Sequence, residues 1–213
     1  MSWLSRLKTD RDNQSPLSAE TERMLEAWHA LAEPAHEQAH FESRHVVLNT
    51  EATGLDLERD RLLAVGAIAV EGGLLHPRDA YHAQLEPSPG DALAGLLDFV
   101  GRSPLVVFNA TFNRTILERA FAKQLGFTPE FLWIDLYFLL PSLFPERLER
   151  PGRLADWMAA FGIETFQRHH ALGDAWAIAQ LLLAAQSRAL SLAVTNPRAL
   201  AEHAQAYRQK LKV

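Results

Sequence analysis

Residues 45–55 read His-Val-Val-Leu-Asn-Thr-Glu-Ala-Thr-Gly-Leu, an apolar run that ends in polar residues and a glycine. The first six residues are rich in β-branched and apolar side chains, which predicts a buried strand. Side chains two apart on a strand point to the same face, so Asn49 and Glu51 should lie side by side. Thr53-Gly54-Leu55 then turns the chain away, and the glycine lets another group approach the backbone closely. The stretch predicts a polar site at the end of a core strand.

A second segment repeats this arrangement. Leu105–Phe108 is an apolar run, Asn109 follows it, and Phe112 and Asn113 fall in the first turn of an expected helix. Open sheets gather ligands at the carboxyl ends of their strands, so Asn113 should point toward the same end as Glu51. Taken alone, the two asparagines serve equally well as turn and cap residues.

A third segment, His169-His170-Ala171-Leu172-Gly173-Asp174, enters an apolar helix. His169 could take a proton from water, because the unperturbed pKa of histidine lies near neutrality, and Asp174 could hold a metal. The alternative is a solvated loop histidine and an acid favoured by the helix dipole. The segment alone does not separate these interpretations.

The rest of the pattern predicts an α/β fold: a mixed five-stranded sheet flanked by helices. Gly72-Gly73 should join two of the strands as a hairpin, and the first helix should begin at Ser15-Pro16. The expected strands are 45–50, 62–70, 74–85, 104–109 and 131–135, and the expected helices are 15–33, 91–100, 112–125, 154–161, 171–187 and 197–211.

Composition limits the possible classes of protein. With 213 residues and 48% apolar content, the chain has room for one sizeable core. The absence of cysteine excludes disulfides and thiolate zinc sites. A net charge of −5 indicates no broad basic surface, although bound cations could still offset the phosphates of a nucleic acid. Residues 1–16 are charged and lack an apolar segment, and no apolar run is long enough to span a membrane, so a cytoplasmic protein without membrane contact is expected.

Together the three segments resemble the DEDDh family of 3′-5′ exonucleases, a DnaQ-like group that includes proofreading exonucleases and RNase T. The resemblance implies an RNase H-like fold over residues 44–188. Outside the matched region we expect a helical extension over 1–43 and a C-terminal helix over 189–213 packed on the same domain. The resemblance implies Mg or Mn ions held by Glu51 and Asp174, with His169 as the general base. It also implies that Thr53, Gly54, Leu55, Asn109 and Phe112 contact the terminal nucleotide.

Two residues depart from the family pattern, because Asn49 and Asn113 stand where the family has aspartate. Two close divalent ions need carboxylates around them, and an amide supplies a neutral oxygen and a donor NH2 group instead. We therefore expect metal binding to be weak or absent and two-metal catalysis to be weak or lost. The chain also lacks the His-Gly-Ile-like segment that family members carry after the third strand, which favours natural degeneration over engineered inactivation.

Two functions remain open after the sequence is considered. One is an exonuclease-like protein that acts on or binds single-stranded 3′ ends, with reduced hydrolysis. The other is a noncatalytic relative of exonucleases that serves as a protein-interaction module. Stacking on Phe112 and Leu55 would favour the first, and the short pocket loop and acidic balance would favour the second.

Overall fold

The computed structural model describes residues 17–211. Along this part of the chain the helices are Ala19–His29 (α1), Pro89–Val100 (α2), Ala110–Leu125 (α3), Leu136–Leu143 (α4), Leu154–Phe161 (α5), Ala171–Leu190 (α6) and Pro197–Lys210 (α7). The strands are His45–Ala52 (β1), Leu62–Glu71 (β2), Leu74–Gln84 (β3), Leu105–Val107 (β4) and Trp133–Asp135 (β5), and a short 3-10 helix covers His40–Glu42.

The strands form one five-stranded mixed sheet in the order β3-β2-β1-β4-β5. β1 pairs antiparallel with β2, which pairs antiparallel with β3, whereas β1-β4 and β4-β5 are parallel. The predicted fold class is confirmed: this is an α/β, RNase H-like architecture with helices against both faces of the sheet. The parallel half brings the carboxyl ends of β1, β4 and β5 to one edge.

Alternate residues of β1 face two separate apolar cores, as the strand period requires. Val46 and Leu48 pack into a cluster with residues of α1, α2 and α3, while Val47 faces a second cluster built from α4, α6 and α7. All three side chains are fully buried. β1 is thus fixed from both sides, which holds its polar end in a defined position.

Gly66 explains how close a helix can come to the sheet. A Cβ atom added at Gly66 would lie 2.3 Å from the backbone of Ala171 and Leu172 at the start of α6. Any side chain there would push α6 away from β2. The missing side chain therefore sets the distance between the sheet and the first turn of α6.

The predicted elements agree with the structure except at their bounds and in one helix. The expected strands and the hairpin at Gly72-Gly73 are present. α1 begins with Ser18 as its cap, since the Ser18 hydroxyl accepts a hydrogen bond from the Thr21 N–H at 3.1 Å. The predicted cap at Ser15-Pro16 lies outside the described residues. The prediction missed α4, whose sequence is apolar on all sides and contains Pro141, so no helical periodicity marks it.

In residues 17–211 no helix has the length and apolar character needed to cross a membrane.

Candidate functional site

A cavity of about 370 Å³ opens where β1 and β4 end and where α3 and α6 begin. Most of the predicted site residues line it, so the fold brings together groups that are 125 residues apart in sequence. The cavity, called the cleft below, is lined by Asn49, Thr50, Glu51, Leu55, Phe108, Asn109, Phe112, Asn113, Tyr137, Arg153, Leu154, Arg168, His169 and Asp174.

Two carboxylates face the cleft, Glu51 from β1 and Asp174 from the first turn of α6. Burial raises the pKa of Glu51, and the nearby charge of Asp174 raises it further. Burial also raises the pKa of Asp174, which is only 7% exposed, and the Arg168 guanidinium opposes that rise. The two acids are therefore close enough to repel each other when both are charged.

Asn113 is tied into the scaffold through every hydrogen-bonding position of its amide. Its Oδ1 accepts from the Thr50 N–H at 3.2 Å and from the Thr50 hydroxyl at 2.8 Å. Its Nδ2 donates to the carbonyls of Phe108 at 3.0 Å and Asn109 at 3.1 Å. The side chain is 3% exposed. Asn113 thus joins β1 to the turn after β4, and neither lone pair of its oxygen is left for a metal.

The turn before α3, at Asn109, depends on Asp135, which was not predicted as a site residue. Asn109 adopts a left-handed conformation with φ 70°, and its side-chain oxygen caps α3 by accepting from the Phe112 N–H. Asp135 supports this turn by accepting hydrogen bonds from the backbone N–H groups of Asn109, Ala110 and Tyr137, each at 3.0 Å. Burial raises the pKa of Asp135, although these donors oppose the change. The only sequence signal for Asp135 was its position at the end of an apolar run and directly before a helix.

The loop that leads into α6 is held by short contacts. The Thr165 hydroxyl donates to the Gly173 carbonyl at 2.6 Å, and a Cβ atom at Gly173 would lie 2.1 Å from the Gln167 carbonyl oxygen. His170 caps α6, since its Nδ1 accepts from the Gly173 N–H. His169 precedes it in a left-handed conformation with φ 56°, which is uncommon for a side-chain-bearing residue. The loop presents His169 to the cleft at the cost of local strain.

Thr53 and Gly54 do not line the cleft, although the family resemblance implied that they contact the terminal nucleotide. The Thr53 hydroxyl donates to Asp60 at 2.6 Å and accepts from the Arg61 N–H at 3.1 Å. A Cβ atom at Gly54 would lie 2.5 Å from the Asp60 carboxylate. Both residues shape the loop that carries Leu55, which is 85% exposed at the edge of the cleft. Their contact with a nucleotide stays a prediction.

Arg168 was not predicted as a site residue, yet it contacts the most buried acid of the cleft. Its Nη1 lies 2.8 Å from Asp174 Oδ1, and the same nitrogen lies 3.1 Å from Met158 Sδ. The Arg168 side chain is 35% exposed and that of Asp174 is 9% exposed. Sequence gave no signal for this pair, because their contact depends on the path of the intervening loop.

The residues present do not fit a pair of divalent ions. Among residues 17–211, no group of three or more histidine, cysteine or acidic side chains could hold a metal ion. Asn113 has no free acceptor, and a guanidinium already neutralises Asp174. Two-metal chemistry needs several carboxylates gathered around closely spaced cations. The cleft supplies two, one of which is paired.

The amino-acid sequence of this chain is similar to parts of known DNA polymerases. No protein-family model matches the chain. It is 29% identical over 161 residues to a PolC-type DNA polymerase III of Thermotoga maritima, covering 65% of this chain and 11% of the polymerase. It is 26% identical over 188 residues to the PolC-type DNA polymerase III of Oceanobacillus iheyensis, covering 76% and 13%. The chain thus spans only 11–13% of the length of these polymerases.

Solved structures agree with the sequence comparison. E. coli exonuclease I in complex with a dA16 oligonucleotide superposes with a TM-score of 0.56 at 18% identity, over 70% of this chain and 42% of that enzyme. The zinc-bound form of the E. coli exonuclease I complex with single-stranded DNA gives 0.54 at 18% identity, over 69% and 41%. The fold therefore resembles that of the matched part of exonuclease I, which is 42% of that enzyme. Together with the polymerase matches, it confirms the resemblance to DnaQ-like 3′-5′ exonucleases.

Proposed function

We propose that this exonuclease-like protein binds the 3′ end of single-stranded nucleic acid in the cleft, and that two-metal hydrolysis there is weak or lost. The proposal of weak or lost hydrolysis rests on Asn113, whose amide is fully hydrogen-bonded within the scaffold. An amide so engaged acts as a structural residue. Any metal in the cleft would depend on Glu51 and Asp174 alone.

Binding of a strand end is supported by the apolar groups at the mouth of the cleft. Leu55 is 85% exposed, and Phe112, in the first turn of α3, lines the cleft while it is half-buried against the apolar cluster that contains Val46 and Leu48. Apolar and aromatic side chains that keep an accessible face offer surfaces on which bases stack in a sequence-tolerant manner. The Asn109 side chain, which is exposed at the start of α3, adds a polar contact. The structural relatives bound to oligonucleotides support the same proposal by analogy.

A residual hydrolysis would use fewer groups than the family reaction. Glu51 and Asp174 would hold at most one divalent ion, and such an ion would lower the pKa of a bound water. His169 would accept the proton of the attacking water from its position at the cleft. With half of the carboxylates replaced, we expect this activity to be weak or lost.

Binding is tested with oligonucleotides labelled at the 5′ end, as DNA and as RNA, with a free or blocked 3′ end. Fluorescence anisotropy should show binding that prefers the free 3′ end and weakens as salt rises. Phe112→Ala should lower the affinity about tenfold, because stacking contributes about 1–3 kcal/mol per base. Phe41→Ala serves as a control, since Phe41 is 56% exposed and outside the cleft. Equal binding of free and blocked ends, or none at low salt, would contradict the proposal.

Hydrolysis is tested separately with 5′-labelled strands, excess protein and Mn. We expect little or no shortening over hours. Activity that disappears in Glu51→Ala would show that the reduced site still works, whereas rapid shortening would overturn the second half of the proposal. Failure to bind any strand would instead favour the interaction-module alternative.

A further inference from the structure

The cleft contains its own cations, and one of them contacts an acid that was expected to bind metal. Two carboxylates, Glu51 and Asp174, and two guanidiniums, Arg153 and Arg168, line the cavity. Arg153 also pairs with Asp156, which lies outside the lining, at 3.1 Å. The charged side chains that line the cleft sum to zero, or to −1 when Asp156 is counted with Arg153, whereas the four-carboxylate site of the family pattern would be strongly negative. The two arginines would therefore attract the phosphates of a bound strand without any added metal ion.

Arg168 is fixed in place on two sides. Nη1 donates to Asp174 Oδ1 at 2.8 Å, and it lies 3.1 Å from the sulfur of Met158 on α5, which is 7% exposed. The pair therefore connects α5 and α6 across the loop that carries the arginine. A divalent ion at Asp174 would have to displace this guanidinium or sit beside its positive charge.

Arg168 retains donors for a ligand. Of its three guanidine nitrogens, only Nη1 has a hydrogen-bond partner within residues 17–211. The side chain is 35% exposed and lines the cleft. A guanidinium that binds a carboxylate through one nitrogen can bind a phosphate through its other nitrogens, and arginine matches phosphate geometry well.

We propose that Arg168 stands in for a divalent cation: it neutralises Asp174 and donates hydrogen bonds to a backbone phosphate of the bound strand. This inference rests on the proposed strand binding, and it adds that the binding requires no metal. The cleft would hold nucleic acid through an arginine, where the family pattern implies ions between carboxylates.

The first test measures oligonucleotide affinity in EDTA and in Mn. The unaltered protein should bind equally in both, and Arg168→Gln should bind about tenfold more weakly or worse, as expected for loss of a charged hydrogen bond. The slope of log affinity against log salt should also fall in magnitude by about 0.7, the value for one phosphate contact on a single strand. Arg198→Gln is the matched control, because Arg198 pairs with Glu37 at 2.6 Å and lies outside the cleft.

The second test needs no nucleic acid. Calorimetric titration of the protein alone with MnCl2 should show no binding for the unaltered chain and weak binding for Arg168→Gln, in which Asp174 is freed from its ion pair. Arg168→Lys should still exclude Mn while losing part of the strand affinity, because a point charge neutralises the acid without the planar donor set. Circular dichroism of each variant would verify that it is folded.

These tests separate the two proposals. If strands bind but Arg168→Gln and Arg198→Gln behave alike, the role of Arg168 is refuted and the proposed function stands. Binding by the unaltered chain that vanishes in EDTA would overturn the inference as well. If no strand binds, the proposed function fails, and Mn binding by the unaltered chain would then refute the stand-in role independently.

Discussion

Asn113→Asp exchanges one side-chain nitrogen for oxygen in a group that is 3% exposed. The Nδ2 hydrogen bonds to the carbonyls of Phe108 and Asn109 would be lost and replaced by oxygen-oxygen repulsion at about the same spacing, 3.0 and 3.1 Å. Each hydrogen bond contributes about 1 kcal/mol net, and a buried group left unsatisfied costs about 1–3 kcal/mol. We expect the free energy of unfolding to fall by about 2–4 kcal/mol.

Urea denaturation followed by tryptophan fluorescence measures this loss, since the chain has five tryptophans. The loss should shrink toward low pH, because a protonated carboxyl can donate again. Asn109→Asp is the matched control: the Asn109 side chain only accepts a hydrogen bond, from the Phe112 N–H at 3.4 Å, and its loss should stay below about 1 kcal/mol. Unchanged stability of Asn113→Asp would refute the structural role assigned to Asn113. A clear rise in the stability of the variant on adding Mn would show that a third carboxylate is enough for the cleft to hold a metal.

Three further predictions concern stability. Burial lowers the pKa of His45 from 6.5 to about 4, so the unfolded chain binds the proton first, and stability present above pH 6.5 should be lost by up to about 3 kcal/mol as the pH falls to 4. His45→Phe should flatten that part of the pH profile, and an unchanged slope would contradict the burial effect. Asp135→Asn should lower the unfolding free energy by about 1–3 kcal/mol in urea melts, because a carboxamide offers one acceptor atom to three N–H donors. Gly66→Ala should destabilise by about 1–3 kcal/mol by pushing α6 off the sheet, and a neutral result would show that the helix shifts freely.

Sequence reasoning succeeded where a local pattern determines the structure. Residues 45–85 contain short β-branched and apolar runs separated by glycines, and this pattern was enough to predict three strands and the hairpin at Gly72-Gly73. The convergence of Glu51 and Asn113 followed from a general rule about strand ends, and the family resemblance implied that Asp174 would join them.

It failed where structure depends on contacts between distant residues. α4 is apolar on every side because it lies between the sheet and α7, so its sequence shows no helical stripe. The Arg168 contact with Asp174 arises from the folding of a loop whose path depends on Gly173 and Thr165. The support of Asp135 for the turn at Asn109 likewise joins neighbouring strand ends.

The four hydrogen bonds of Asn113 have a consequence for how this chain could evolve. An acidic residue at that position would lower stability at once, while Asn49 and the guanidinium on Asp174 would still prevent two ions from binding. This step toward a hydrolytic site would therefore lower stability without restoring catalysis. Substitutions that further stabilise the contacts of Asn113 would raise the cost of an acid at that position. A return to metal-dependent cleavage would therefore become less accessible as this sequence evolves.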